Sequence, residues 1–184
     1  AIQQVGAICI PIYPTISHAD YEYIFKHSEA NIVFVINKHL YNKVSDIIAS
    51  TPSIKEVYLI RPTEGIKSLQ ELIDLGNENR DDAALEAAKA EVKNEDIATI
   101  IYTSGTMGTL KGVMLTHRNI LSVIEYLCPL YPIDETHDTI SYLPLSHIYE
   151  RTVQYCHVYL GCSTYYVDNL GAIIETMAEI KPQH

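Results

Sequence analysis

Ten consecutive residues, Thr103-Ser104-Gly105-Thr106-Met107-Gly108-Thr109-Leu110-Lys111-Gly112, have the types that bind anions. Three glycines let the backbone turn tightly and approach a ligand without a Cβ clash. N–H groups exposed in such a turn form an anion-binding concavity. The hydroxyls of Thr103, Ser104, Thr106 and Thr109 add donors, and Lys111 adds a mobile positive charge. The surroundings agree: from Ile97 to Ile124 there is no Asp or Glu, in a chain with 23 acids among 184 residues. An acid-free loop in an acidic protein suits a polyphosphate. The spacing is not that of a Walker A loop, since two residues separate Gly108 from Lys111 and Gly112 follows the lysine. It does not match G-x-G-x-x-G either. On residue types alone, an ordinary Gly-rich hairpin turn stays open as the alternative.

A second group is His147, Glu150 and Arg151, which one helical turn brings onto neighbouring faces. The plain account is a helix start capped by Ser146, with Glu150 and Arg151 in structural pairs. His117 and Arg118 read as a helix start and a local positive field. Cys9, Cys128, Cys156 and Cys162 have irregular spacing and form no CxxC pair. They read as reduced, buried thiols of a cytoplasmic protein, not as a disulfide frame or zinc site.

The elements that position these groups alternate. Residues 5–16 predict a buried strand running into a proline-punctuated loop. A helix follows over about 19–28 with Ser17 as cap, then a strand near 31–36, a helix over 38–49 and a strand over 56–60. Ser68 to Leu75 reads as a short helix. Residues 77–96 carry seven acids, three bases and five alanines, the mark of a solvated surface linker helix. Ile97 opens an apolar strand running into the Gly-rich segment, and Val113 to Leu115 is a second. Thr116 caps a helix over about 117–127. A strand at 138–143, a helix starting near Ser146, a strand at 163–167 and a helix over 171–180 complete the pattern. Strands alternating with helices predict an α/β fold with three layers and a mostly parallel sheet.

The formal charge of −10 argues against general nucleic-acid binding, because such a surface repels phosphate backbones. The richest apolar stretch, Ile120 to Ile133, is broken by Glu125 and two prolines, short of a membrane span. The N-terminal residues lack a basic n-region and do not read as a signal peptide.

Residues 96–120, DIATIIYTSGTMGTLKGVMLTHRNI, closely resemble the phosphate-loop signature of the adenylate-forming (AMP-binding) enzymes, a superfamily of acyl-CoA synthetases, luciferases and peptide-synthetase adenylation domains. YLPLSHIYERTVQY, residues 142–155, is similar to a segment of long-chain fatty acid–CoA ligases, and GAICIPIYPTIS at 6–17 resembles an upstream segment. Met107 replaces a usual Thr, and Leu110 a usual Pro. The resemblance implies that residues 1–184 are an internal part of the large AMP-binding domain, with a phosphate loop at 102–112 and an acidic linker at about 77–96. The start of that domain, its later motifs and the small C-terminal domain then fall outside the chain.

For function, the resemblance implies ATP-dependent activation of a long-chain fatty acid to an acyl-adenylate, then transfer to CoA. The substrates and cofactors are ATP, Mg²⁺ and CoA. The phosphate-binding residues are Thr103, Ser104, Gly105, Thr106, Met107, Gly108, Thr109 and Lys111, with Thr106 also the hydroxyl near the metal. Lys111, Thr106 and His147 are the catalytic set, and His147 stands at the acyl pocket. The alternatives are another adenylate-forming ligase with a different carboxylate, or a non-catalytic nucleotide-binding domain. The expected location is cytoplasmic, with peripheral membrane contact through the lipid substrate. These 184 residues alone are expected to be inactive and to self-associate through exposed edges.

Overall fold

The computed structural model describes residues 1–104, 109–167 and 169–182. The chain divides into two compact units, Pro14–Glu86 and a second made of Ala1–Tyr13 with Ala87–His184.

The Pro14–Glu86 unit is built from α1 (His18–His27), β1 (Ile32–Val35), α2 (Lys38–Ala49), β2 (Glu56–Leu59) and α3 (Leu69–Glu78). Each helix starts at a side-chain cap. Ser17 Oγ accepts from the Asp20 N–H at 3.1 Å, and Asn37 Oδ1 from the Leu40 N–H at 2.9 Å. Ser68 and Glu71 form a reciprocal capping box. Such caps satisfy amides that have no partner inside the helix. β1 and β2 pair in parallel, with Ile32 opposite Glu56 and Val35 opposite Leu59. Tyr21, Ile24 and Phe25 of α1 are buried with Val44 and Ile47 of α2 and Val35, Tyr58 and Leu59 of the strands. Burying one such side chain contributes about 1.5–3 kcal/mol. Helix α4 (Asp82–Glu91) has no buried residue, as the acidic linker predicts.

The second unit contains β3 (Ile97–Ser104), β4 (Leu110–Thr116), α5 (His117–Leu127), β5 (Asp138–Ser141), α6 (Ile148–Leu160), β6 (Ser163–Tyr166) and α7 (Ile173–Ile180). β3 and β4 form an antiparallel hairpin. β5 and β6 pair in parallel, with α6 as the crossover between them. Among the described residues two of three strand pairs are therefore parallel, and the α/β class read from the alternation holds. α5 begins where the sequence predicts, at a capping box between Thr116 and Asn119. Ile124, Cys128 and Cys156 form a buried cluster with Ile120, Leu127, Tyr155 and Leu160 against it.

Of the strand and proline-punctuated loop expected over residues 5–16, the strand does not form. Ile2–Val5 is a short 3-10 turn, and the segment after it makes one parallel bridge, Cys9 with Thr99. Pro11 and Pro14 remove ladder donors, which confines the pairing to that point. The segment is not buried either: Val5 is 45% and Ile8 44% exposed. The helix expected near Ser146 is capped by His147 instead. Cys128 and Cys156 are buried, as expected of core thiols, while Cys9 and Cys162 are only partly so. No helix among the described residues is long and apolar enough to cross a membrane.

Candidate functional site

β3 is anchored at its start and open at its end. Ala98, Thr99 and Ile101 are buried, whereas Thr103 and Ser104 are exposed. Across the hairpin, Lys111 is the register partner of Thr103, and Leu110 that of Ser104. Directly opposed residues project from the same face of a sheet, so the Thr103 hydroxyl and the Lys111 ammonium share one face. Ser104 lies on the other. Lys111 and Thr109 are exposed like Thr103. Four expected phosphate-binding residues, Gly105, Thr106, Met107 and Gly108, lie outside the described residues, Thr106 among them as the expected metal ligand.

Gly112 is needed for close packing. A Cβ there would stand 3.0 Å from Ile100 Cγ2 and 3.3 Å from Tyr102 Cζ. Without it, both side chains lie against the β4 backbone directly behind Lys111. At the far end of β4, Arg118 is paired with Glu95, so part of the positive field expected there is already neutralised. The Arg118 and His117 amides donate to the carbonyls of Asn94, at 2.8 Å, and Asp96, at 3.1 Å. Both residues thus start α5, as read from the sequence.

His147 is exposed at the start of α6. Its N–H donates to Pro144 O at 2.9 Å, closing a turn. Its ring Nδ1 accepts from the Tyr149 N–H at 3.2 Å. Glu150 and Arg151 are structural, as the plain reading held, with partners the sequence did not name. Glu150 is 4% exposed and its Oε1 accepts from Ser141 Oγ at 2.5 Å. Arg151 donates to Cys9 Sγ at 3.3 Å and lies over the Tyr155 ring, 6.0 Å from its centroid.

Sequence reasoning missed the residues that tie α6 to β3. Cys9 and Gln3 each bond to both elements. The Cys9 N–H donates to Ala98 O at 3.1 Å, and Thr99 Oγ1 donates to Cys9 O at 2.6 Å. Gln3 Nε2 donates to Ala98 O at 3.2 Å while its Oε1 accepts from Tyr155 OH at 2.8 Å. The N-terminal segment is therefore a strap between the helix headed by His147 and the strand that leads to Thr103 and Ser104.

Beside the first turns of α6 lies an apolar cavity of about 230 Å³, lined among others by Leu127, Tyr131, Ile148, Tyr149, Val153 and Cys156. Burial, reinforced by the hydrogen bond with Cys128, pushes the Cys156 thiol up to about 12. Burial also raises the Tyr131 hydroxyl. The cavity wall is thus uncharged at neutral pH. Among the described residues no group of three or more His, Cys, Asp or Glu could hold a metal ion. The exposed donor set of hydroxyls and one ammonium suits phosphate oxygens.

A model of the AMP-binding enzyme family matches residues 1–184. The chain is 30% identical over 199 aligned residues to long chain acyl-CoA synthetase 4 of Arabidopsis thaliana, across 96% of this chain and 28% of that protein. It is 32% identical over 187 residues to the human long-chain-fatty-acid–CoA ligase ACSBG2, again across 96% of this chain and 28% of the relative. The crystal structure of the long-chain-fatty-acid-CoA ligase FadD1 from Archaeoglobus fulgidus matches with a TM-score of 0.80 and 26% identity, covering 97% of this chain and 34% of that one. The chain thus spans little more than a quarter of the curated relatives' length.

Proposed function

Because the chain belongs to the AMP-binding enzyme family and shares its α/β fold, we propose that it supplies the phosphate loop and acyl-side helix of a long-chain fatty acid–CoA ligase. The reaction has two steps. The fatty carboxylate attacks the α-phosphorus of ATP, forming the acyl-adenylate and releasing pyrophosphate. The CoA thiol then attacks the acyl carbon and AMP leaves, giving the thioester.

The observation that carries this reading is the β3–β4 hairpin. It presents Thr103 and Lys111 on one face, with Ser104 and Thr109 exposed near them, in a stretch free of carboxylates from Ile97 to Ile124. Negative charge grows on pyrophosphate as it departs. Positioned amides, hydroxyls and an ammonium stabilise that charge in the transition state more than in the ground state. Lys111 supplies the charge, and Thr103 beside it supplies a directional donor. Mg²⁺ enters with ATP as part of the substrate, and Thr106 is its proposed hydroxyl ligand. Leu110 leaves the backbone N–H that a proline there would remove.

His147 is the proposed contact for the acyl carbonyl. The long-chain branch is favoured by the apolar cavity along α6 and by the relatives' names. The test is pyrophosphate release by the full-length protein with ATP, Mg²⁺ and palmitate. Palmitate-dependent release followed by CoA-dependent palmitoyl-CoA formation supports the proposal. Release driven by amino acids or aryl acids, and not by fatty acids, moves the substrate to another carboxylate.

A further inference from the structure

We infer that the buried Ser141–Glu150 hydrogen bond holds His147 in its Nε2–H tautomer, which makes Ser141 and Glu150 positioning residues for an imidazole that donates a hydrogen bond. The part of this inference that concerns the acyl group rests on the function proposed above.

A backbone N–H can only donate, so His147 Nδ1 must be the acceptor in its 3.2 Å bond with Tyr149. In a neutral imidazole the proton is then on Nε2. With Nδ1 engaged, Nε2–H is the free polar group of the ring, and it is a donor. The same bond caps the helix, because Tyr149 N–H is one of the first-turn amides with no partner inside α6. His147 therefore serves as cap and as donor through opposite edges of one ring. Such a ring cannot act as a base without giving up the cap. It can stabilise negative charge developing on an acyl oxygen.

Helix first turns fray unless tied, and this one is tied by its buried carboxylate. Glu150 is three residues into the turn, 4% exposed, and bonded at 2.5 Å to Ser141, a length typical of a hydroxyl donating to a carboxylate. Ser141 is fixed in turn, since its carbonyl accepts from the Val167 N–H at 2.9 Å beyond the end of β6. The bond closes the loop 142–147, and the His147 N–H to Pro144 O bond tightens its tip. The line of support runs from the β5–β6 pair through Ser141 and Glu150 to the first turn of α6 and the His147 ring.

The test uses the full-length protein labelled with ¹⁵N-histidine. Ring-nitrogen shifts report the tautomer directly, and single-turnover adenylation is measured on the same samples. Wild type is expected to show His147 as one form, protonated at Nε2. Ser141→Ala and Glu150→Leu are expected to show both tautomers, with the single-turnover adenylation rate down about tenfold for a misplaced donor and its half-saturating ATP concentration unchanged. Glu150→Gln can still accept from Ser141, so it keeps the single form. That rescue separates positioning from general loss of stability. A mixed population in wild type, or a single Nε2–H form retained in both Ser141→Ala and Glu150→Leu, overturns the inference. Absence of acyl-adenylate from the wild type would instead overturn the functional reading, while the nitrogen shifts still decide the tautomer.

Discussion

Lys111 stands directly opposite Thr103 on one face of the β3–β4 hairpin, one rung from the Ser104–Leu110 pair. The pairing gives the charge a fixed neighbour, and the bare Gly112 behind it lets Ile100 and Tyr102 lie flat against the strand. Removing the ammonium should leave the hairpin intact and lower transition-state stabilisation. Lys111→Ala in the full-length protein is expected to slow single-turnover adenylate formation by about 10²-fold, the cost of losing one preorganised donor. Circular dichroism should be unchanged. An adenylation rate equal to wild type would remove Lys111 from the chemistry.

The strap offers a separate test. Tyr155 OH and Gln3 Oε1 are 2.8 Å apart and 152 residues apart in sequence. Gln3→Ala and Tyr155→Phe each break the same hydrogen bond, so their effects should not add. A double-mutant cycle by urea unfolding is expected to give a coupling of about 0.5–1.5 kcal/mol. Simple additivity would mean that the contact contributes nothing.

Asp134 gives a pH dependence whose sign is fixed. Its carboxylate accepts from Thr136 Oγ1 at 2.6 Å and the Thr136 N–H at 2.9 Å, and contacts His137 Nδ1 at 2.8 Å. These contacts, the Thr136 hydroxyl first, lower it from 3.8 to about 2. A depressed carboxylate favours folding above its ordinary pKa, and that contribution fades as pH falls through the folded value. The melting-temperature difference between wild type and Asp134→Asn should therefore be largest above pH 4 and should shrink towards pH 2. A difference independent of pH across that range would contradict the assignment.

Thiol chemistry should sort the four cysteines by burial. With Cys156 pushed up to about 12, its thiolate fraction at pH 8 is on the order of 10⁻⁴. Iodoacetamide at pH 8 should modify Cys9 before Cys128 or Cys156, and all four only in urea. Mass spectrometry of tryptic peptides reads this out. Prompt native labelling of Cys156 would contradict the buried pair.

Where caps and periodicity act locally, the sequence was readable. Thr116 announces α5 at the residue where it begins, because a cap needs only the amides of the next turn, and Asn119 completes the box in the structure. The residues 5–16 misled because their β-branched, apolar composition suits a strand while Pro11 and Pro14 forbid the ladder. Ser146 and His147 both carry acceptors able to cap, and the turn closed by Pro144 O decided between them. The polar stripe of Glu150, Gln154 and His157 is buried on α6, although such residues usually mark a solvated face. Its partners Ser141, Tyr166 and Thr139 come from β5 and β6, which no helix-level pattern contains. The Gln3 strap is invisible for the same reason, as its contacts span 95 and 152 residues. The Gly-rich segment was the opposite case: the apolar runs on either side of it were legible as strands and pair as the β3–β4 hairpin, while its proposed phosphate binding comes from its residue types, the missing carboxylates around it and the family resemblance.

The β3–β4 hairpin is proposed to grip the phosphates of ATP. Isothermal titration calorimetry of the full-length protein with Mg·ATP, repeated on Lys111→Ala, tests it most directly. The wild type should give a saturable heat, competed by pyrophosphate, with affinity at least tenfold weaker in the variant, as expected for loss of a charge-assisted contact. Equal affinity in both proteins, or no heat of ATP binding in the wild type, would contradict it.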